Sequence, residues 1–563
     1  MSNSHPVAIA TPLMKVSDVD QLLRADLSFR FGLDRACLPA AGHLPVQIKR
    51  RSLRGVVIMD KRDGTSGSQM NDGDHMNRRS LLKLAGAAAL TTATSRFATS
   101  QPGQAPSSDK KAERPNILFI IMDDLGWRDV GFNGSDFYDT PNIDRLRSRG
   151  VFFSNAYGTC PVCSPSRASV MTGQYPPRVG ITNYLRGESP RPFAKFAHPE
   201  FLQSLPLDAP TIAKTLKKAG YTTAMGGKWH LGPEEEIAQH GFDRVFTTHG
   251  GPYWSELTGY GEQFIEDNRT RPFYLYLAHN LVHTPLQSTH DRIEKYTEKS
   301  NRFDVRTRKI TAPQQNNPIY AAMVSEMDES IGRLVKKIED IGASDRTIIF
   351  FTSDHGGLIT PERDRHTTVT DNRPLRGGKG CLYEGGIRVP SVMYWPGVTK
   401  AGTTVDVPIA HVDHYPTILE MTGVSDEPSH KLDGESLVPL LSGSNKLKRD
   451  SIYWHYPHYN IEGGWPSAAV RKGNLKLIES YEDKNVELYD LSQDISESND
   501  LSKSNPKKTR EMLEQLRAWQ KDVGARMPLP NPKYDAAREF VLSGPALPRP
   551  GSTPPPIEVE EPA

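Results

Sequence analysis

Three short apolar runs constrain the fold of this 563-residue chain more than any other feature. Asn116–Met122 (NILFIIM), Phe273–Ala278 (FYLYLA) and Ile348–Thr352 (IIFFT) are continuously apolar rather than alternating. A strand covered on both faces reads this way, and helix-like segments lie between and around the three. One of these, from about Pro318 to Ile341, sets Tyr320, Met323, Val324, Met327, Ile331, Leu334, Val335 and Ile338 on a single i, i+3, i+4, i+7 stripe, as core packing requires. Buried strands alternating with amphipathic helices predict an α/β sheet. Ligands of such sheets bind beyond the carboxyl ends of the strands. Here the first run ends in Asp123-Asp124, the second leads to His279 and then His283-Thr284-Pro285, and the third ends in Ser353-Asp354-His355-Gly356-Gly357.

A single Asp-Asp pair is ordinarily a solvated turn. The recurrence of Asp354-His355 in the same strand-end context points instead to a cation that relieves the repulsion between carboxylates. Three hard carboxylates among four candidate ligands (Asp123, Asp124, Asp354, His355) favour Ca2+ or Mg2+ over zinc. Two glycine-dense blocks add basic groups: Gly226-Gly227-Lys228-Trp229-His230-Leu231-Gly232, and Leu375-Arg376-Gly377-Gly378-Lys379-Gly380 leading into Tyr383–Pro390. Cations gathered around a divalent metal imply an anionic substrate. Cys160 and Cys163 form a C-x-x-C in GTCPVCSPSR, the spacing of a redox pair or half a zinc site. Only Cys381 accompanies them in this part of the chain, so the second pair that such a reading needs is absent. The balance of 69 basic and 67 acidic residues excludes an electrostatic footprint for nucleic acid and a polybasic membrane address.

Taken together these blocks resemble the sulfatase family, the formylglycine-dependent branch of the alkaline phosphatase superfamily. Cys163-Ser164-Pro165-Ser166-Arg167, continuing through Ala168-Ser169 to Thr172-Gly173, matches that family's C-x-P-x-R modification signature, and the likeness runs in order from Arg114 to about Gly423. The resemblance implies a large mixed sheet sandwiched by helices, alkaline-phosphatase-like, with a smaller C-terminal α+β subdomain of antiparallel sheet plus helix. It implies that a separate formylglycine-generating maturation enzyme oxidises Cys163 to Cα-formylglycine. The hydrated aldehyde attacks sulfur and expels the alcohol, and its second hydroxyl then drives release of sulfate. In the family's pattern Asp123, Asp124, Asp354 and His355 hold the metal, Ca2+ ahead of Mg2+ or Mn2+. Many relatives carry Asp-Asn where this chain has Asp354-His355, which makes the site somewhat softer. Arg167 stabilises the nucleophile, Lys228 and Lys379 neutralise sulfate oxygens, His230 serves as base in sulfate release and His283 protonates the leaving oxygen. His279 is expected to be structural, and Cys160 a small buried residue or a partner for Cys381. A sulfated carbohydrate is the expected substrate ahead of an aryl sulfate. The alternative is a phosphonate or phosphate monoester hydrolase of the same superfamily.

The ends of the chain differ in kind. MNRRSLLKLAGAAALTTATS, from residue 76, carries Arg78-Arg79 before a short Ala/Leu run, which reads as a twin-arginine signal too short to span a bilayer. The expected organisation is a non-native extension over 1–75, the signal over 76–100 and a linker over 101–112. A catalytic domain over 113–425, a C-terminal subdomain over 426–527 and a Pro-rich solvated tail over 528–563 follow. The implied route is the Tat translocon, to the periplasm or the exterior, with no stable membrane insertion. Within the subdomain, Ser467–Ile478 and Val486–Leu491 read as strands flanking a turn-rich segment, and Lys507–Val523 as a helix. The aromatic cluster Tyr453–Tyr459 reads as boundary packing, with a sugar subsite as the alternative.

Overall fold

In the computed structural model, Asn116–Met122 (β1) is buried at every position, and so are Phe273–Ala278 and Thr347–Ser353 on either side of it. The structure describes residues 114–185, 192–248, 253–302, 314–360, 368–427, 429–460, 462–536 and 538. The extension, the twin-arginine segment, the linker and most of the tail lie outside the described residues.

Eight strands form the main sheet. In chain order they are β1, β2 (Val151–Phe153), β3 (Thr222–Gly227), β4 (Arg244–Thr247), β5 (Phe273–Ala278), β6 (Thr347–Ser353), β7 (Ser391–Tyr394) and β8 (Thr403–Val405). Their spatial order is β8-β2-β7-β6-β1-β5-β3-β4. β1 lies parallel between β5 and β6, while β7 runs antiparallel to both its neighbours, so the sheet is mixed. Alternate residues of β1 feed two cores: Ile117, Phe119 and Ile121 on one face, Leu118, Ile120 and Met122 on the other. The stripe read from the sequence becomes the helix Pro318–Asp340, started by Asn317, whose side chain accepts from the Ile319 and Tyr320 amides. Its Met323, Met327, Ile331 and Leu334 fill the second core. Among the described residues no helix is long and apolar enough to cross a membrane.

The C-terminal sheet is antiparallel throughout: β9 (Ser451–Tyr456), β10 (Ser467–Lys472), β11 (Leu475–Ser480) and β12 (Val486–Asp490). Ser467–Ile478 is therefore not one strand. Gly473, with φ +58, turns the chain into a hairpin at a place where composition alone reads as continuous. The helix Pro506–Asp522 covers one face of this sheet with Met512 and Leu516. Trp454, Tyr456, Ala469 and Ile478 on the other face pack with Tyr157, Val162, Leu382 and Ile387 of the main domain. His455 bonds Tyr481 and the Arg526 carbonyl, and His458 bonds Thr182 and His198. Both are buried, so the aromatic cluster is packing. Leu529–Pro530, at the start of the segment read as a tail, pairs with Phe196–Ala197.

A buried ionic cluster clamps the two sheets together. Lys476 on β11 is fully buried and pairs with Glu384 at 2.9 Å and Glu497 at 2.8 Å. Glu384 also accepts from Tyr157 at 2.7 Å and pairs with Arg388 at 3.3 Å. Removing one partner of a buried ion pair strands the other charges without solvent. Lys476→Met is expected to destabilise the protein by about 3–5 kcal/mol, read as a lower urea midpoint. A loss within about 0.5 kcal/mol, the scale of a neutral surface substitution, would show that the clamp is not structural.

Candidate active site

The register of β1 builds the site. Met122 pairs with Ser353 of β6, Ile121 pairs with Ala278 of β5, and Ala278 pairs with Gly227 of β3. The residues that follow therefore emerge side by side at one edge. Backbone bonds extend each ladder one step: Asp354 N to Met122 O at 3.0 Å, His279 N to Ile121 O at 3.0 Å, and Lys228 N to Ala278 O at 2.7 Å. Gly227 lies at φ +95, and a Cβ there would sit 2.0 Å from the Ala278 carbonyl oxygen, so no larger residue fits. Asp124 and His230 adopt φ of +63 and +55, a conformation that costs energy for residues other than glycine and recurs at functional sites.

Cys163 opens the ten-residue helix Cys163–Thr172, whose N-cap, Val162, supplies no side-chain capping bond. The helix thus points free amides and the positive end of its dipole at the site. Cys163 is 3% exposed. Its Sγ lies 3.5 Å from Asp123 Oδ1, 3.3 Å from His355 Nε2 and 3.5 Å from Lys228 Nζ. One turn on, fully buried Arg167 reaches Asp354 Oδ2 at 2.9 Å through both Nε and Nη2, and Asp123 Oδ1 at 3.5 Å. Burial opposes its charge, and Asp354 and Asp123 more than compensate. Lys228 pairs with Asp123 at 2.6 Å, and Lys379 with Asp124 at 2.8 Å. Burial alone would raise the carboxyls. Lys228, His283, Arg167 and Lys379 instead hold Asp123 well below the usual range, and His283, Lys379 and His355 hold Asp124 low.

The donor set fits a hard divalent cation. Ligand atoms of Asp123, Cys163, Asp354 and His355 all lie within 4.8 Å of one another, as do those of Asp123, Asp124, Cys163 and His283. Asp124 Oδ1 is buried with no hydrogen-bond donor, its neighbour being His355 Nε2 at 3.3 Å, an acceptor of the sort a cation satisfies. His355 Nδ1 donates to the Gly356 carbonyl at 3.0 Å, which fixes the tautomer and leaves Nε2 as the ligand atom. Burial would lower this imidazole, yet Asp354, Cys163 and Asp124 raise it to about 10. Behind Asp354, Ser166 Oγ donates to its carbonyl at 2.6 Å and pairs with His411 Nδ1 at 2.9 Å.

The two remaining histidines flank this cluster. His230 Nε2 lies 3.3 Å from the Leu185 carbonyl, and its buried Nδ1 has no partner. Burial and Lys228 push it well below its ordinary value, so Nδ1 carries a free lone pair. His283 Nδ1 donates to the Thr284 carbonyl at 2.6 Å, and its Nε2 lies 3.1 Å from Lys379 Nζ. All ten residues singled out by sequence converge here. His279 bonds Ser330 Oγ at 3.1 Å, and burial lowers it to about 4. Cys160, Cys163 and Cys381 are all free, so Cys160 and Cys381 do not pair. Sequence reading missed Glu462, half-buried, whose carboxyl is raised by desolvation and feels Lys379, Asp124 and His355. Its signal was the adjacent Gly463-Gly464: a Cβ on Gly464 would lie 1.8 Å from the Gly380 carbonyl oxygen, beside Lys379.

Comparison with known proteins identifies the family. The Sulfatase family model matches residues 115–424, more than half of the chain, and that of the N-sulphoglucosamine sulphohydrolase C-terminal region matches 378–522. Human N-acetylgalactosamine-6-sulfatase is 31% identical over 362 residues, covering 60% of this chain and 68% of that protein. A sulfatase of Formosa agariphila is 28% identical over 556 residues, covering 78% of this chain and 96% of its own. The crystal structure of Ps i-CgsB superposes with a TM-score of 0.61 at 29% identity, over 76% of this chain and 97% of that one. The chain belongs to the sulfatase family and is a sulfuric ester hydrolase of alkaline-phosphatase-like fold.

Proposed function

We propose that the protein releases sulfate from a sulfated carbohydrate, with Cys163 matured to formylglycine as the nucleophile and a hard divalent cation, Ca2+ first, beside it. The observation that carries this reading is the position of Cys163 Sγ. It lies at a helix N-terminus and within 3.5 Å of Asp123, His355 and Lys228. Asp123, Asp124, Asp354 and His355 would hold the cation, which when bound polarises the sulfate and eases ionisation of the attacking hydroxyl. Formylglycine supplies a hydrated aldehyde, a nucleophile with a second hydroxyl to expel the product.

The chain's own side chains perform the rest. Arg167 fixes Asp354 and Asp123 and adds charge beside residue 163. Lys228 and Lys379 neutralise sulfate oxygens, an interaction that grows as charge develops on them. His230 Nδ1, neutral and unpartnered, accepts the proton given up during sulfate release. His283 and Lys379, 3.1 Å apart, share the proton that goes to the leaving oxygen. Sugar alkoxides leave poorly without it. The carbohydrate assignment draws support from Ps i-CgsB, which has been solved with k-i-k-neocarrahexaose, and from the N-acetylgalactosamine-6-sulfatase named above. The twin-arginine sequence supports export through the Tat translocon, after action by a formylglycine-generating enzyme.

Sulfate and phosphate esters of one phenol, assayed side by side on material co-expressed with a formylglycine-generating enzyme, are expected to favour the sulfate. A preference for phosphate or phosphonate would establish the alternative within the superfamily. Cys163→Ala is expected to lower kcat by on the order of 10³-fold or more. Full activity with an unmodified thiol in the tryptic peptide would overturn the mechanism. His283→Ala should cost about 10²–10⁴-fold on a sugar sulfate and far less on 4-nitrophenyl sulfate, whose leaving group needs no proton. Equal losses on the two substrates would remove His283 from the acid role.

A further inference from the structure

Lys228 and Thr248 stand in the walls of two cavities. One, of about 620 Å³, has His230, Gln203, Glu234 and Glu235 in its wall. The other, of about 250 Å³, has His283. A leaving oxygen must lie within reach of the group that protonates it. The alcohol half of the ester therefore belongs on the His283 side, a step that rests on the role proposed for His283. At about 250 Å³ this cavity falls just below the usual range for ligand pockets, which suits one ring rather than a chain.

Its wall combines an aromatic surface with uncommitted hydrogen-bonding groups. Trp254 and Tyr253 line it with Asn280 and His279. The Arg292 guanidinium stands 5.4 Å over the Trp254 ring, and the Trp254 side chain bonds the Glu326 carboxylate, so the indole is held in place. Tyr253 is 48% exposed. Asn280 Oδ1 accepts from Thr248 at 3.2 Å, which orients the amide and leaves its N–H groups to donate elsewhere. His279 is fully buried with Nε2 engaged by Ser330, so it supports the wall and offers no donor to a ligand. An aromatic surface beside an oriented amide matches a pyranose, which has an apolar face and a hydroxyl rim.

We propose that Trp254, Tyr253 and Asn280 form the subsite for the sugar ring that carries the sulfate, and that Trp254 sets the preference for a saccharide over a simple aryl ester. The test measures kcat and KM of the wild type, Trp254→Ala and Tyr253→Ala, all bearing formylglycine. The substrates are galactose 6-sulfate, N-acetylgalactosamine 6-sulfate, N-acetylglucosamine 6-sulfate and 4-nitrophenyl sulfate. The ratio of kcat/KM for the best sugar ester to that for the aryl ester is expected to fall at least tenfold in Trp254→Ala, chiefly through KM, and severalfold in Tyr253→Ala. If Trp254→Ala fails to fold, the exposed Tyr253 decides the matter. Turnover of a sugar ester with an unchanged ratio overturns the subsite alone. A wild type that cleaves only the aryl ester, or none of the four, overturns the carbohydrate reading and the subsite with it.

Discussion

Asp123, Asp124 and Asp354 share one buried volume, and their mutual repulsion is the constraint around which the rest of the site is organised. Burial raises the cost of every unpaired charge there. The protein answers with three cations drawn from distant parts of the chain: Arg167 from the helix opened by Cys163, Lys228 from the end of β3, and Lys379 from the glycine-rich loop. Each cation takes a different carboxylate as its shortest partner. A single substitution among the six would leave an opposite charge stranded, so the cluster is stable only as a set. A cation and a sulfate ester add charges of both signs, so the arrangement can accept them together.

Much of this was legible in the sequence because β1, β5 and β6 are covered on both faces, which writes them as unbroken apolar runs. Parallel pairing then carries the residue after each run to the same edge, so Asp123, His279 and Asp354 follow from strand ends alone. Lys228 was marked instead by its glycine-dense block, and its strand, β3, has no apolar run to announce it. The helix Pro318–Asp340 was legible for a related reason, since its inward stripe repeats with the helical period. What was not legible depends on contacts between segments far apart. Gly473 turns β10 into β11 within a stretch that composition leaves continuous. His455 and His458 look like donors for a sugar, yet their partners are Tyr481, Thr182 and His198 inside the molecule. Glu462, Trp254 and Asn280 sit outside any motif, and only the folded chain brings them to the site.

The C-terminal sheet has a part beyond covering the main domain. Its inner face packs on Cys160, Val162 and Cys381–Tyr383, the segments immediately before Cys163 and after Lys379. Trp454 Nε1 donates to the Gly158 carbonyl at 2.7 Å, and Arg376 reaches the Glu497 carbonyl at 2.9 Å. Asn460 and Gly464 close against Gly380. The subdomain therefore holds both loops that carry reacting groups. Its aromatic residues serve the chemistry by fixing those loops and do not themselves face the cavities.

Cys163 is 3% exposed, sealed between its helix, the carboxylates and Lys228. A second protein that must grip the peptide around this sulfur has no path to it once the helix has docked on the sheet. On the maturation proposed above, enzymatic conversion of the side chain would belong to the interval between synthesis and folding. On that reading the window would close when the site forms, and a chain that folds too fast would be sealed with its thiol intact.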